Sequence, residues 1–126
     1  MRARLLLDTH VFLWWRGEPA RIKAEVRDAI ATADVVFVSV ASAWEAAIKA
    51  SLGRLELPDT LESGVLASGF EKLPIAFSHC QLVAELPQHH GDPFDRMLVA
   101  QATAEKLTLV THDPRLEPYD VKILWS

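Results

Sequence analysis

The chain has 126 residues, of which 50% are hydrophobic and 24% charged, and its formal net charge is -4. That length is one domain's worth and buries a sizeable core, and the composition excludes a disordered or repetitive chain. The negative balance argues against nucleic-acid binding through the overall field, although a local basic patch or bound cations reverse the sign at one place.

The N-terminus, "MRARLLLDTH", begins basic, but its apolar run is too short for a signal peptide. No stretch approaches the roughly 18 apolar residues of a membrane span. A single cysteine, Cys80, cannot form an internal disulfide. A reducing compartment, hence a cytoplasmic location, is expected. Cys80 itself reads as a small core residue.

Residues 4 to 8, "RLLLD", read as a short buried strand ending on a carboxylate. A charge beside apolar surface is costly unless something pairs it. Ile22, Val26, Ile30 and Ala33 recur at helical spacing, which predicts an amphipathic helix over 20–33. "DVVFVSV", 34–40, is apolar and β-branched throughout, the pattern of a central parallel strand. A helix follows in "SAWEAAIKASLGRL", capped by Ser39 or Ser42, with a Trp44, Ile48 and Leu52 stripe and Gly53 as its stop. Trp14, Trp15 and Trp44 read as core or interface residues.

Asp59 is expected to open a short helix that breaks near Gly69, followed by a weak strand around 72–75. "FSHCQLVAELP" predicts another short helix. In "GDPFDRMLVAQATAEKL", Asp92 reads as an N-cap and Pro93 as the first helical residue. "LTLVT", 107–111, and "DVKILW" complete the strands. Alternating strands and helices without a linker predict a single α/β domain over residues 1–126 with a mainly parallel sheet.

In such a sheet, sites form at the carboxyl ends of the strands, where the following helices begin. Asp8 ends the first strand, and Asp113 lies just past the 107–111 strand. Glu45 sits early in the helix after the 34–40 strand, and Asp95 in the first turn after Asp92. Four acids from distant segments are thus predicted at one rim. Grouped carboxylates repel unless protonated or joined by a cation. Hard oxygen donors suit Mg²⁺ or Mn²⁺ better than zinc, and a carboxylate site with divalent ions is suited to phosphoryl chemistry.

"LLLDTHVFLWW", "VSVASAWEAAIKASLGRLELP", "LPQHHGDPFDRMLVAQA" and "LVTHDPRL" resemble, in order, the motifs of PIN-domain proteins, and in particular of VapC-type toxins of bacterial toxin–antitoxin pairs. The resemblance covers essentially the whole chain. It implies a three-layer α/β/α fold around a five-stranded, mainly parallel sheet. It also implies a Mg²⁺- or Mn²⁺-dependent endoribonuclease, a homodimer, and a small cognate antitoxin. Asp8, Glu45, Asp95 and Asp113 match the family's four acidic positions as catalytic and metal-binding residues. "DPFDR" offers two aspartates for the third; Asp95 is preferred because Ala100 supplies the small residue five positions on, which leaves Asp92 as the cap.

Thr111 is expected to bond a ligating carboxylate. Arg96, Lys49, Arg54 and Arg115 lie near the acids in sequence and are the candidates for RNA phosphate contact. His10, His89, His90 and His112 are not expected to be catalytic. Two other α/β readings fit poorly. A phosphatase with a D-x-D motif would need a second aspartate where "DTH" has histidine. A receiver module would need an aspartate where "VSVAS" has serine and alanine. A PIN domain that has lost activity and only binds its partner is the remaining alternative.

Overall fold

The structure, a computed structural model, describes residues 3–126; Met1 and Arg2 of the basic N-terminal stretch lie outside the described residues. The chain runs β1 (Arg4–Leu7), α1 (Thr9–Gly17), a 3₁₀ turn (Pro19–Arg21), α2 (Ala24–Thr32), β2 (Val35–Ser39), α3 (Val40–Ser51), α4 (Leu61–Ala67) and β3 (Glu71–Leu73). It continues through α5 (Phe77–Glu85), α6 (Pro93–Glu105), β4 (Thr108–Thr111), a second 3₁₀ turn (Pro114–Leu116) and β5 (Ile123–Trp125).

The five strands form one sheet in the order β3-β2-β1-β4-β5, and every pairing is parallel. β1 is central, with Leu5 opposite Val36 on one side and Thr108 on the other. Side chains alternate across a strand. Leu5 and Leu7 therefore join Val11, Phe12, Val26 and Ile30 in one core, while Leu6 joins Leu98, Val99 and Leu109 in the other. Burial on both faces explains why β1 is apolar without alternation. Helices cover both faces, so the expected α/β/α architecture is what forms.

Several expected elements shift. α1 carries Trp14 and Trp15 on a helix that starts directly after β1. The helix expected over 20–33 begins only at Ala24, because Ile22 is extended. Thr60, not Asp59, caps α4, accepting from the Ser63 N–H at 3.1 Å; Asp59 pairs instead with Arg16 at 3.1 Å.

The α3 stripe is a larger correction. Trp44 and Leu52 are about 60% exposed and Ile48 also lies open, while Ala41, Ser42, Glu45 and Ala46 face inward. Small side chains let this helix lie close to its neighbours, and the two polar ones find partners there.

In α5 the buried residue is His79, and Cys80, expected in the core, is exposed. His79 Nδ1 accepts the Ala76 N–H at 3.0 Å, which leaves Nε2–H to donate to Glu105 at 2.9 Å. A fully bonded imidazole is tolerated inside, and the next residue points about 100° away. Among the described residues, no helix is long and apolar enough to cross a membrane.

Candidate metal centre

The carboxyl ends of β1, β2 and β4 meet the N-termini of α1, α3 and α6 along one edge. Asp8 leaves β1 and caps α1: its Oδ1 accepts the Val11 N–H at 2.8 Å. Its Oδ2 accepts from Thr111 Oγ1 at 2.6 Å. Asp8 is only 4% exposed. Burial pushes its carboxyl above the usual range, and the Thr111 and Val11 bonds work against that push.

Ser39 caps α3 by accepting the Ala41 N–H at 2.9 Å, which starts the helix at the sheet edge and turns Glu45 inward. Thr9 Oγ1 donates to Glu45 Oε1 at 2.6 Å and lies 2.9 Å from Ser42 Oγ. Lys49 Nζ reaches Glu45 Oε2 at 3.0 Å.

Asp92 caps α6, its Oδ1 accepting from the Phe94 and Asp95 amides at 2.8 and 3.2 Å. Asp95 follows in the first turn. Burial raises its carboxyl to about 6; His90 bonding opposes the rise, and the charges of Asp92, Asp8 and Glu45 add to it. Asp113, after β4, is held below the usual carboxylate range by Arg115. Arg115 Nη2 lies 2.7 Å from its Oδ2 and Nε 3.0 Å from its Oδ1.

Asp8, Glu45, Asp95 and Asp113 therefore line one cleft of about 270 Å³, with Asp92 at its side. After burial, the neighbouring charges of Asp92, Asp8 and Glu45 disfavour the ionised Asp95, as expected for acids grouped at one place. The donors are hard carboxylate oxygens with no thiolate among them, the set that suits a hard divalent cation. The site's residues thus fit a divalent metal.

Two residues passed over in the sequence stand in this cluster. Thr9 orients Glu45, as above. His90 Nε2 lies 2.9 Å from Asp95 Oδ2 and 3.9 Å from Asp113 Oδ2. These three ligand atoms lie within 4.8 Å of one another. The available signals were positional: Thr9 adjoins Asp8, and His90 precedes the cap Asp92 by two residues.

Of the basic candidates, Lys49 and Arg115 are at the cleft but paired with its acids, and Arg54 lines its edge. Arg96 is a correction. It is only 7% exposed, and its guanidinium donates to the carbonyls of Pro87, Val83 and Leu86 and to the Tyr119 hydroxyl, at 2.8 to 3.3 Å. One residue past Asp95 on the helix, it turns into the interior and cannot hold a phosphate.

A parallel α/β/α domain with acids from four segments at one strand edge is a recognisable class. The PIN domain family model matches residues 5–122, and the chain belongs to that family. It is similar to Ribonuclease VapC22 of Mycobacterium tuberculosis, 35% identical over 118 residues that cover 91% of each chain. Its fold is also that of two solved VapBC structures. In VapBC2 from Rickettsia felis, bound to a DNA fragment from its promoter, the matching chain shares 16% identity at a TM-score of 0.69, with 95% of this chain and 96% of that one covered. For VapBC-5 from Mycobacterium tuberculosis, a member of the VapBC family of toxin–antitoxin systems, the values are 20% and 0.61, with 96% and 97% covered.

Proposed function

We propose that this chain is an endoribonuclease toxin that hydrolyses RNA phosphodiester bonds with Mg²⁺ or Mn²⁺ and is neutralised by a cognate antitoxin. The observation that carries this reading is the convergence of Asp8, Glu45, Asp95 and Asp113 on one cleft, in a chain similar along its length to a VapC ribonuclease. When bound, a divalent ion supplies Lewis acidity at the scissile phosphate and at water.

The protein's own part is preorganisation. Asp8, Glu45, Asp95 and Asp113 act as the ligand set. Thr111 and Thr9 each donate to one oxygen of a buried acid, which fixes the rotamer and the oxygen it presents. Lys49, Arg54 and Arg115 at the rim counter phosphate charge and set the register of the RNA backbone, without reading bases.

The antitoxin has a suitable seat beside the cleft. A cavity of about 470 Å³ between α1 and the loop before α4 is lined by apolar residues including Phe12, Trp14, Leu55 and Leu57, and shares Lys49 and Arg54 with the cleft. A peptide filling it would reach the acids. The exposed α3 stripe of Trp44, Ile48 and Leu52 supports a homodimer.

The test is RNA cleavage by purified protein freed of antitoxin, in Mg²⁺, Mn²⁺ or EDTA, beside Asp8→Asn. Cleavage is expected only with metal and only with Asp8 intact, with the variant still folded by circular dichroism. Cleavage that persists in EDTA overturns the mechanism. Growth arrest on expression of the native chain, but not of Asp8→Asn, separates a toxin from an inactive binding module.

A further inference from the structure

We propose that His90 is a direct cation ligand, its Nε2 joining one oxygen each of Asp95 and Asp113, and that this nitrogen tilts the site toward Mn²⁺ over Mg²⁺. The proposal rests on the metal-dependent reading above and deepens it.

The ring nitrogen stands beside two carboxylate oxygens of the cluster. An octahedral ion with bonds near 2.1 Å holds adjacent donors about 3.0 Å apart and opposite ones about 4.2 Å apart. Nε2 is hydrogen-bonded to the Asp95 oxygen at 2.9 Å and lies 3.9 Å from that of Asp113, between those two spacings; the three atoms, within 4.8 Å of one another, are close enough to share one ion after a small adjustment. The His90 side chain is 7% exposed, Asp95 16% and Asp113 21%, so the triad is sheltered, with its two aspartates lining the cleft and His90 behind them.

Its backbone is pinned as well. The His90 N–H donates to the Tyr119 hydroxyl at 3.0 Å, and that hydroxyl donates back to the His90 carbonyl at 3.4 Å. Arg96 donates to the same hydroxyl at 3.1 Å and to three carbonyls of the preceding segment. The buried guanidinium thus anchors the loop that presents the ring. Arg115, whose Nη2 bonds the same Asp113 Oδ2 at 2.7 Å, is 66% exposed, so a cation at this oxygen displaces a solvent-facing partner.

Imidazole nitrogen suits transition ions, whereas Mg²⁺ keeps to oxygen donors. A nitrogen in the ligand set therefore shifts preference rather than affinity alone.

The test is calorimetric titration of metal-free wild type, His90→Ala and His90→Gln with MnCl₂ and with MgCl₂, plus pulsed electron paramagnetic resonance of the Mn²⁺-loaded wild type. His90→Ala is expected to weaken Mn²⁺ about tenfold or more and Mg²⁺ by less than about threefold. Nitrogen hyperfine coupling from a bound imidazole is expected in the wild type.

His90→Gln keeps a hydrogen bond to Asp95 but offers no imidazole nitrogen, so its Mn²⁺ affinity is expected to match that of His90→Ala. Equal weakening of both ions, rescue by glutamine, or a wild-type spectrum without nitrogen coupling would overturn the proposal and leave His90 as a residue that orients Asp95. The spectrum needs no variant to fold. Failure of the wild type to bind either ion would sink the metal-dependent reading itself. Binding and cleavage with an oxygen-only spectrum would sink the His90 proposal alone.

Discussion

Thr111 Oγ1 and Asp8 Oδ2 are 2.6 Å apart across 103 residues of sequence. The same hydroxyl oxygen accepts the Asp113 N–H at 3.1 Å. One side chain at the end of β4 thus ties the first acid of the cluster to the backbone of the last. Without that donor, the burial that already raises the Asp8 carboxyl would act less opposed.

Thr111→Val keeps the shape and removes the hydroxyl. Leaving a buried carboxylate short of a donor costs about 1–3 kcal/mol, read as a lower urea midpoint at pH 7. Ribonuclease activity per folded molecule is expected to fall about 10- to 100-fold, the usual effect of losing a bond that orients a ligating group. Thr111→Ser restores both. A valine variant that melts and cleaves like the wild type would show that the contact does neither.

Asp95 gives a pH dependence whose sign follows from its raised carboxyl. The fold holds this proton to about pH 6, the unfolded chain only to about its ordinary 3.8. Between those values the native state binds more protons, so the stability of metal-free protein falls as pH rises from about 4 to 6 and then levels. The span corresponds to at most about 3 kcal/mol at 1.36 kcal/mol per unit. Asp95→Asn is expected to match the wild type near pH 4 and exceed it at pH 7.5 in EDTA; saturating Mg²⁺ reverses the order. Urea midpoints at the two pH values decide it. A variant less stable than the wild type at pH 7.5 would assign Asp95 to favouring the helix dipole instead.

The places where sequence reading succeeded and failed share a cause. The acids were legible because strand ends and helix starts fall at one edge of a parallel sheet, and Asp8, Glu45, Asp95 and Asp113 occupy such positions. Which way a side chain turns at the edge was not legible. Arg96 neighbours Asp95 but points about 100° away, into three carbonyls. The α3 stripe is periodic, yet the helix buries Ala41, Ser42, Glu45 and Ala46 because polar partners wait on that side. His79 and Cys80 exchanged roles because Ala76 and Glu105 satisfy the imidazole. His90 lacked a ligand spacing in sequence and is brought to the site by a loop.

Arg96 and Arg54 make contrasting predictions. Lysine cannot reproduce the forked bonds of a buried guanidinium, so Arg96→Lys is expected to cost about 1–3 kcal/mol, seen as a lower Tm. Its RNA affinity, measured by fluorescence anisotropy in an Asp8→Asn background, is expected to hold. Arg54→Ala, at the cleft edge, is expected to leave Tm within about 0.5 kcal/mol equivalent. It should weaken RNA binding and lower the salt slope by about one. An Arg96 variant that kept its Tm and lost RNA affinity would move that residue back to the rim.

Arg115 is placed to compete with a cation for Asp113, if that carboxylate ligates one as proposed. Its guanidinium engages both carboxylate oxygens and holds that carboxyl low, yet the side chain is 66% exposed, so letting go costs little. Arg115→Ala frees the oxygens and is expected to tighten Mg²⁺ binding severalfold in the absence of RNA, measured by calorimetry. The same change is expected to reduce the salt slope of RNA binding by about one, since the arm would no longer meet a phosphate. Arg115→Lys separates fork from charge: it retains the phosphate contact and, with a single donor group, loosens the grip on Asp113. If Mg²⁺ binding weakened in Arg115→Ala, the arginine would be holding Asp113 in its ligating pose, and the competition would be the wrong account of that pair.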